Sequence, residues 1–102
     1  MYGVITTIPA PVQMYDVMHA EMLQRAGTSI DGLLVHIGRP TTDGFQTLEV
    51  WESKQHYDRA NTDIVFPLMR ELAGDQPLPS TELATETFDV RGLVIPKGNI
   101  LI

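Results

Sequence analysis

The stretch GLLVHIGRPTTDGFQTLEVWE (residues 32–52) decides the fold of this 102-residue chain. Residues 32–39 are mostly apolar and predict a buried strand. The sequence PTTDG at residues 40–44 supplies the proline, aspartate and glycine that are typical of a turn. Residues 45–52 predict a second strand, so the two strands form a hairpin.

The two faces of this hairpin differ in polarity. If Pro40 pairs with Phe45, position 37 lies opposite 48, position 36 opposite 49 and position 35 opposite 50. One face then carries the aliphatic side chains Leu33, Val35, Ile37, Leu48 and Val50. The other face carries Leu34, His36, Gly38, Thr47, Glu49 and Trp51. This second face is unusually polar for a core, and it brings Glu49 opposite His36.

The elements around the hairpin complete a β-α-β-β-α-β order. Residues 2–8 predict a strand and residues 12–26 an amphipathic helix. A second helix starts at Lys54 after a Ser53 cap and ends at Gly74, with a break near residues 63–66 because Pro67 interrupts it. Residues 74–81 predict a loop, residues 82–95 a strand, and residues 99–102 a possible fifth strand. The order predicts one domain over residues 1–102, an α+β ferredoxin-like antiparallel sheet with two helices on one face.

Composition excludes several classes of function. The chain has seven basic and thirteen acidic side chains, a net charge of −6 and no basic cluster for phosphates, so we expect no nucleic-acid partner. It has no cysteine, which excludes disulfides, thiolate zinc sites and a cysteine nucleophile. No apolar run approaches the ~20 residues that span a bilayer, and the N-terminal residues lack signal-peptide features. We therefore expect a cytoplasmic protein with no membrane partner.

Metal and cofactor motifs are absent from the sequence pattern. The three histidines, His19, His36 and His56, lie on three separate predicted elements and show no metal-binding spacing. The glycines form no phosphate-binding loop, because the strand–turn–helix context is missing. We therefore predict no metal and no cofactor.

The aliphatic hairpin face requires a cover, because a large exposed apolar patch usually marks an interaction site. With helices on the other face of the sheet, the predicted cover is a second copy of the chain. We therefore expect a homodimer.

The junction between the third strand and the second helix carries a resemblance to a known family. Trp51-Glu52-Ser53 followed by Tyr57 resembles the W-E-S-x-x-x-aromatic junction of antibiotic biosynthesis monooxygenase-like proteins, in the dimeric α+β barrel superfamily. The element order matches over nearly the whole chain. The resemblance implies that two subunits pair their sheets into a barrel. It also implies a small pocket between sheet and helices for an apolar or aromatic ligand.

The sequence resembles the cofactor-independent monooxygenases of this superfamily more than its haem-degrading branch. The haem-degrading branch uses an asparagine, a tryptophan and a histidine where this sequence has Thr6 or Thr7, Ala60 and Arg70. The cofactor-independent monooxygenases use a junction tryptophan and an aromatic hydroxyl six positions later, which Trp51 and Tyr57 match. Their expected asparagine is replaced by Thr47, and their arginine is approximated only by Arg70.

The candidate catalytic residues are His36, Glu49 and Tyr57. His36 is a candidate base, since histidine titrates near neutrality, and Glu49 would orient it. Trp51, Leu34, Met18 and Met22 are the candidate substrate-binding residues. The alternative is that His36 is a hydrogen-bonded core histidine, Glu49 is solvated, and the methionines and aromatic residues only fill the core.

The expected function is a cofactor-independent monooxygenase or isomerase acting on a small aromatic or polyketide-like substrate. Deprotonation of such a substrate gives an electron-rich enolate or phenolate that reacts with oxygen directly. The alternative is a non-catalytic small-ligand-binding or structural dimer. A third and less favoured possibility is haem binding through His36 or His56.

Overall fold

The computed structural model describes residues 1–26, 30–74 and 84–98, and the chain adopts the predicted ferredoxin-like α+β fold. The elements are β1 (Tyr2–Ile8), α1 (Val12–Arg25), β2 (Leu33–Pro40), β3 (Phe45–Trp51), α2 (Lys54–Ala60), α3 (Phe66–Ala73) and β4 (Ala84–Asp89). The sheet is antiparallel with the strand order β2-β3-β1-β4. None of the helices in these ranges has the length and apolar character needed to cross a membrane.

The predicted break in the second helical segment is a π-helical turn. Residues Asn61–Val65 form this turn between α2 and α3. Pro67 lies in the first turn of α3, directly after the π-helical turn, and because it has no N–H it cannot donate to a carbonyl of that turn. At the other end of the segment, the Ser53 hydroxyl accepts a hydrogen bond from the backbone N–H of His56 at 3.3 Å and caps α2 as predicted.

The last strand is shorter than predicted. β4 pairs with β1 from Ala84 opposite Thr7 to Asp89 opposite Tyr2. The N–H of Val90 then donates to the carbonyl oxygen of Met1 at 3.1 Å, and β1 offers no further partner. The prediction of a strand through residue 95 is therefore wrong for residues 90–95. The predicted fifth strand at residues 99–102 and most of the predicted loop lie outside the described residues.

The hairpin register is the predicted one, with one irregularity. Ile37 lies opposite Leu48, His36 opposite Glu49 and Val35 opposite Val50. A bulge between Leu33 and Val35 then brings Leu33 opposite Trp51. The extra residue reverses the alternation, so the prediction that Leu33 shares the aliphatic face is wrong. Leu33 instead packs against the buried cluster beside the helices.

The core lies between the sheet and the second helical segment. Val4, Trp51 and Ala60 form its buried cluster. The partly buried side chains packed against this cluster are Tyr2, Ile30, Leu33 and Tyr57. Phe45 and Leu68 are also almost fully buried. No residue of α1 reaches that degree of burial, so α1 covers its part of the sheet less completely.

None of the helices in the described ranges lies over the opposite face of the sheet. Ile5, Leu48 and Ile37 form a row across β1, β3 and β2, and Ile37 is 52% exposed. A groove of about 220 Å³ runs along this row. At the β4 edge, the ring of Phe88 lies directly over Gly3, where any side chain would clash with it. The predicted aliphatic face is therefore present, with Ile37 exposed at its β2 edge and Val50 buried.

Two leucines one turn apart on α3 test where the core lies. Leu68 is 2% exposed and Leu72 is 40% exposed. We expect Leu68→Ala to lower the free energy of unfolding by about 2–5 kcal/mol, because it leaves a cavity. Leu72→Ala should change it by less than about 1 kcal/mol. Urea unfolding measures both, and equal losses would contradict this placement of the core.

Candidate functional site

Three polar side chains form a hydrogen-bonded chain on the helix-facing side of the sheet. Nδ1 of His36 lies 2.8 Å from Oε2 of Glu49, across the β2–β3 register. Nε2 of His36 lies 3.0 Å from the hydroxyl oxygen of Tyr15, which comes from α1. The side chains of His36 and Glu49 are 26% and 20% exposed, so the pair is half-buried but open to solvent. We name this set the Glu49–His36–Tyr15 chain.

The partners fix the direction of each hydrogen bond. An ionised carboxylate only accepts hydrogen bonds, so Nδ1 of His36 donates its proton to Glu49. In a neutral imidazole the other nitrogen is then an acceptor, and Tyr15 donates its hydroxyl proton to Nε2. Glu49 therefore holds the imidazole through Nδ1, while Tyr15 occupies the nitrogen that a base would use.

Parallel rings hold the Tyr15 end of the chain in place. The ring centroids of Tyr15 and His19 are 5.3 Å apart with planes inclined by 13°, because the two residues lie one turn apart on α1. The rings of His19 and His36 are 5.8 Å apart and inclined by 12°. Phe45 packs against Tyr15 from the side, with centroids 5.6 Å apart. Tyr15 therefore sits in a fixed aromatic environment.

Gly38 provides the space in which the Tyr15 ring lies. A Cβ at this position would overlap the ring and hydroxyl of Tyr15. The backbone of Gly38 is not left-handed, so the glycine is required by the close approach of the ring and not by its conformation. Two residues after His36, this gap in β2 lets α1 bring a large side chain down to the sheet.

The surroundings keep the Tyr15 hydroxyl protonated. Partial burial raises the pKa of Tyr15, and the negative charges of Asp16 and Glu49 raise it further. The neutral phenol is therefore the form that donates to His36.

The other predicted site residues lie beside this chain or apart from it. The indole N–H of Trp51 points to Oε1 of Glu49 at a long 3.4 Å, while the ring is buried in the core. Tyr57 packs edge-on against Trp51 and tilts against Tyr2. In the part of the chain that the structure describes, no hydrogen bond joins Tyr57 to His36 or Glu49.

The three aliphatic or thioether candidates have more peripheral positions. Met18 and Met22 are half-buried on α1. Leu34 is the residue of the β2 bulge that has no opposite partner on β3. The bulge therefore removes Leu34 from the regular alternation that had suggested a common face with His36.

Tyr15 and His19 are members of this site that the sequence pattern did not predict. Their four-residue spacing on an amphipathic helix was a signal that they share one helix face. It did not show that this face meets His36, because that depends on how α1 docks on the sheet. Gly38 in the middle of an apolar strand was the second available signal, since a strand glycine often marks a close approach.

A second polar cluster lies at the start of α2. The ligand atoms of Asp31, Glu52 and His56 lie within 4.8 Å of one another, a spacing that a cation can bridge. His56 also bonds to Ser53 at 2.6 Å, and the guanidinium of Arg59 pairs with Asp31 at 3.3 Å. Arg59 thus already balances part of the negative charge. Asp31 precedes β2 and Glu52 follows β3, so the hairpin brings the two together at its open end although they are far apart in sequence.

Two surface cavities are separate from the Glu49–His36–Tyr15 chain. One, of about 350 Å³, lies between residues 9–12 and residues 40–44. The other is the 220 Å³ groove on the outer sheet face. Neither is lined by His36, Glu49 or Tyr15.

Comparison with solved structures identifies proteins of the same fold. A monooxygenase from the gene ActVA-Orf6 of Streptomyces coelicolor, in complex with nanaomycin D, superposes with a TM-score of 0.61 at 20% identity, covering 93% of this chain and 91% of that one. The haem degrader MhuD of Mycobacterium tuberculosis, with two haems in its active site, gives 0.55 at 20% identity over 92% and 99% of the two chains. A variant of MhuD with two manganese protoporphyrin IX molecules per active site gives 0.54 at 18% identity over 91% and 96%.

These neighbours confirm the fold that the junction motif implied. They are antibiotic biosynthesis monooxygenase-like proteins, and this chain has their ferredoxin-like fold. No protein-family model matches the sequence, and no curated protein matches it significantly.

Alkaline titration tests the environment of Tyr15. A tyrosine whose pKa is raised in the folded state stabilises the fold fully below its ordinary value of 10.0, and this contribution is lost as the pH rises through the raised pKa. We expect tyrosinate absorbance to show a component titrating above pH 10 that Tyr15→Phe removes and Tyr2→Phe retains. If that component survives in Tyr15→Phe, the hydroxyl is not in the environment described here.

Proposed function

We infer that this protein is a cofactor-independent monooxygenase that acts on a small aromatic or polyketide-like substrate. The observation that carries this proposal is the Glu49–His36–Tyr15 chain, a partly exposed imidazole oriented by a carboxylate. Such an arrangement supports proton abstraction, because the carboxylate stabilises the imidazolium that forms.

The chemistry follows from removal of one proton. A phenol or an activated CH2 group that loses a proton becomes an electron-rich anion. Conversion of that CH2 to a carbonyl consumes one O2, with one oxygen atom retained in the product and the other released as water. The residues of this chain are required to bind the substrate, take the proton and hold the resulting charge.

The fold supports this proposal without deciding it. One protein of this fold is a monooxygenase whose structure was solved with nanaomycin D. The fold is therefore compatible with binding a ligand such as nanaomycin D and with a monooxygenase activity. Fold alone does not fix function, so the proposal rests on the side chains of the site. An isomerase would use the same deprotonation, and oxygen uptake separates the two reactions.

The haem alternative receives less support from the site. Both ring nitrogens of His36 already have partners, Glu49 and Tyr15, so neither is free to ligate iron. His56 bonds to Ser53 through Nδ1 and faces Glu52 and Asp31 through Nε2. A haemin titration that produced a Soret shift would favour haem binding over the proposed function.

Loss of the imidazole tests the proposed function. With a phenolic or anthrone-type substrate and an oxygen electrode, we expect His36→Ala to lower the rate of oxygen uptake by about 10²–10⁴-fold, the usual contribution of general acid–base catalysis. His56→Gln is the matched histidine control. His56 is not part of the Glu49–His36–Tyr15 chain, so this variant should retain the wild-type rate of oxygen uptake. Full activity in His36→Ala would show that His36 transfers no proton. Ligand binding without oxygen uptake in the wild type would favour the non-catalytic ligand-binding alternative.

We also propose that the chain forms a homodimer through the outer face of its sheet. The row Ile5, Leu48 and Ile37 is apolar, solvent-accessible and grooved, while the helices cover only the other face. Packing this face against a second copy removes its apolar surface from water, which stabilises the pair.

A charge placed in this face tests the dimer. Ile37→Glu should weaken dimerisation by roughly a hundredfold or more, because association would bury a carboxylate in each subunit. Val17→Glu introduces the same charge at a residue of α1 that is 54% exposed, and it should leave the dimer intact. Analytical ultracentrifugation measures both variants. A wild-type monomer at micromolar concentration would overturn the dimer.

A further inference from the structure

The partners of His36 raise the question of how a proton could reach it. Nδ1 of His36 donates to Glu49, and Nε2 accepts from Tyr15. Each ring nitrogen has one site for a hydrogen bond in its plane, so the imidazole is saturated. In this arrangement a substrate cannot hydrogen-bond to His36 unless Tyr15 first leaves.

The oxygen of Tyr15 is an open position at the α1 end of the Glu49–His36–Tyr15 chain. A phenolic hydroxyl donates one hydrogen bond and also accepts, and this one donates to Nε2. In the described part of the chain, no donor approaches the Tyr15 oxygen from the other side. Its lone pair is therefore available to an incoming hydroxyl group.

The surroundings hold Tyr15 where it is. Its ring lies between the parallel ring of His19 and the inclined ring of Phe45. Beneath it, the missing side chain of Gly38 leaves the space in which the ring lies against β2. Displacing Tyr15 from Nε2 would break these contacts, whereas using it in place would keep them.

We propose that the Tyr15 hydroxyl is the catalytic group that meets the substrate, and that His36 and Glu49 act through it as a proton relay. This inference rests on the proposed function, because it names the group that contacts the substrate in that reaction. The substrate is then a compound with an acidic phenolic or enolic hydroxyl.

The step transfers two protons and no electrons. The substrate O–H bond breaks and its proton forms a bond to the Tyr15 oxygen. The original Tyr15 proton moves to Nε2 of His36, so the substrate becomes an oxyanion and His36 an imidazolium. The imidazolium then lies against the carboxylate of Glu49, which balances its charge.

The relay does not require a free tyrosinate. The neighbouring negative charges and partial burial oppose ionisation of Tyr15. A concerted exchange avoids that state, because Tyr15 gains one proton as it loses the other.

A coloured phenol tests the relay independently of oxygen chemistry. 4-Nitrophenol absorbs visible light only as its phenolate, so absorbance reports proton transfer to the protein while calorimetry reports binding. We expect wild-type protein to raise the phenolate fraction of the bound probe. Tyr15→Phe should bind the probe but lower that fraction by roughly tenfold or more, because the relay is cut. Tyr2 is not part of the Glu49–His36–Tyr15 chain, so Tyr2→Phe should behave as the wild type.

Gly38→Ala tests whether the Tyr15 hydroxyl must lie beside His36 or only be present in the protein. The added methyl group pushes the Tyr15 ring away from His36 and leaves all three polar side chains in the protein. We expect this variant to lose the probe signal as Tyr15→Phe does. Near-UV circular dichroism verifies that both variants remain folded.

Two results have different consequences. If Tyr15→Phe retains or increases phenolate formation while His36→Gln loses it, the substrate contacts His36 directly and the relay is overturned. If the wild type ionises the probe through Tyr15 but consumes no oxygen with phenolic substrates, the relay stands and the monooxygenase function is overturned.

Discussion

The register of the β2–β3 hairpin is the constraint on which the rest of this structure depends. It aligns Ile37 with Leu48 on one side of the sheet and His36 with Glu49 on the other. A slip of one residue would exchange the two faces, because strand side chains alternate. It would place the His36–Glu49 pair on the outer face of the sheet and turn the aliphatic row toward the helices. The apolar outer face and the polar inner site are therefore two consequences of one alignment.

Two local departures from regular strand geometry shape the inner face. The bulge between Leu33 and Val35 turns Leu33 toward the Trp51 cluster, which extends the core under α2. Further along β2, Gly38 leaves a gap in the inner face, because its missing side chain makes room for Tyr15. The inner face is thus closed and apolar at the Trp51 end and polar at the His36 end. This division explains why Tyr57, a neighbour of Trp51, lies apart from the hydrogen-bonded chain.

The same fold holds different chemistry in its structural neighbours. One neighbour is a monooxygenase with a bound nanaomycin and another degrades haem. In this chain the polar groups come from β2, β3 and α1, namely His36, Glu49 and Tyr15. The junction residues Trp51 and Tyr57 mainly stabilise the packing of α2 on the sheet, with a single long contact from the indole to Glu49. The sheet provides the frame, and the side chains on its inner face determine which polar groups meet there.

The sequence by itself determined the element order, the hairpin register and the His36–Glu49 pair. These follow from short-range rules: apolar alternation, turn residues, a Ser53 cap and the break near Pro67. Only the tertiary structure decided that Tyr15 and His19 join His36, that Leu33 leaves the aliphatic face, and that β4 ends at Asp89. Each of these depends on contacts between segments distant in sequence. The space over Gly38 lets α1 dock with Tyr15 against the sheet. The β2 bulge places Leu33 on the inner face. β4 ends where its partner strand β1 ends. Local periodicity carries no information on those distances, so the Tyr15 end of the site is visible only in the folded chain.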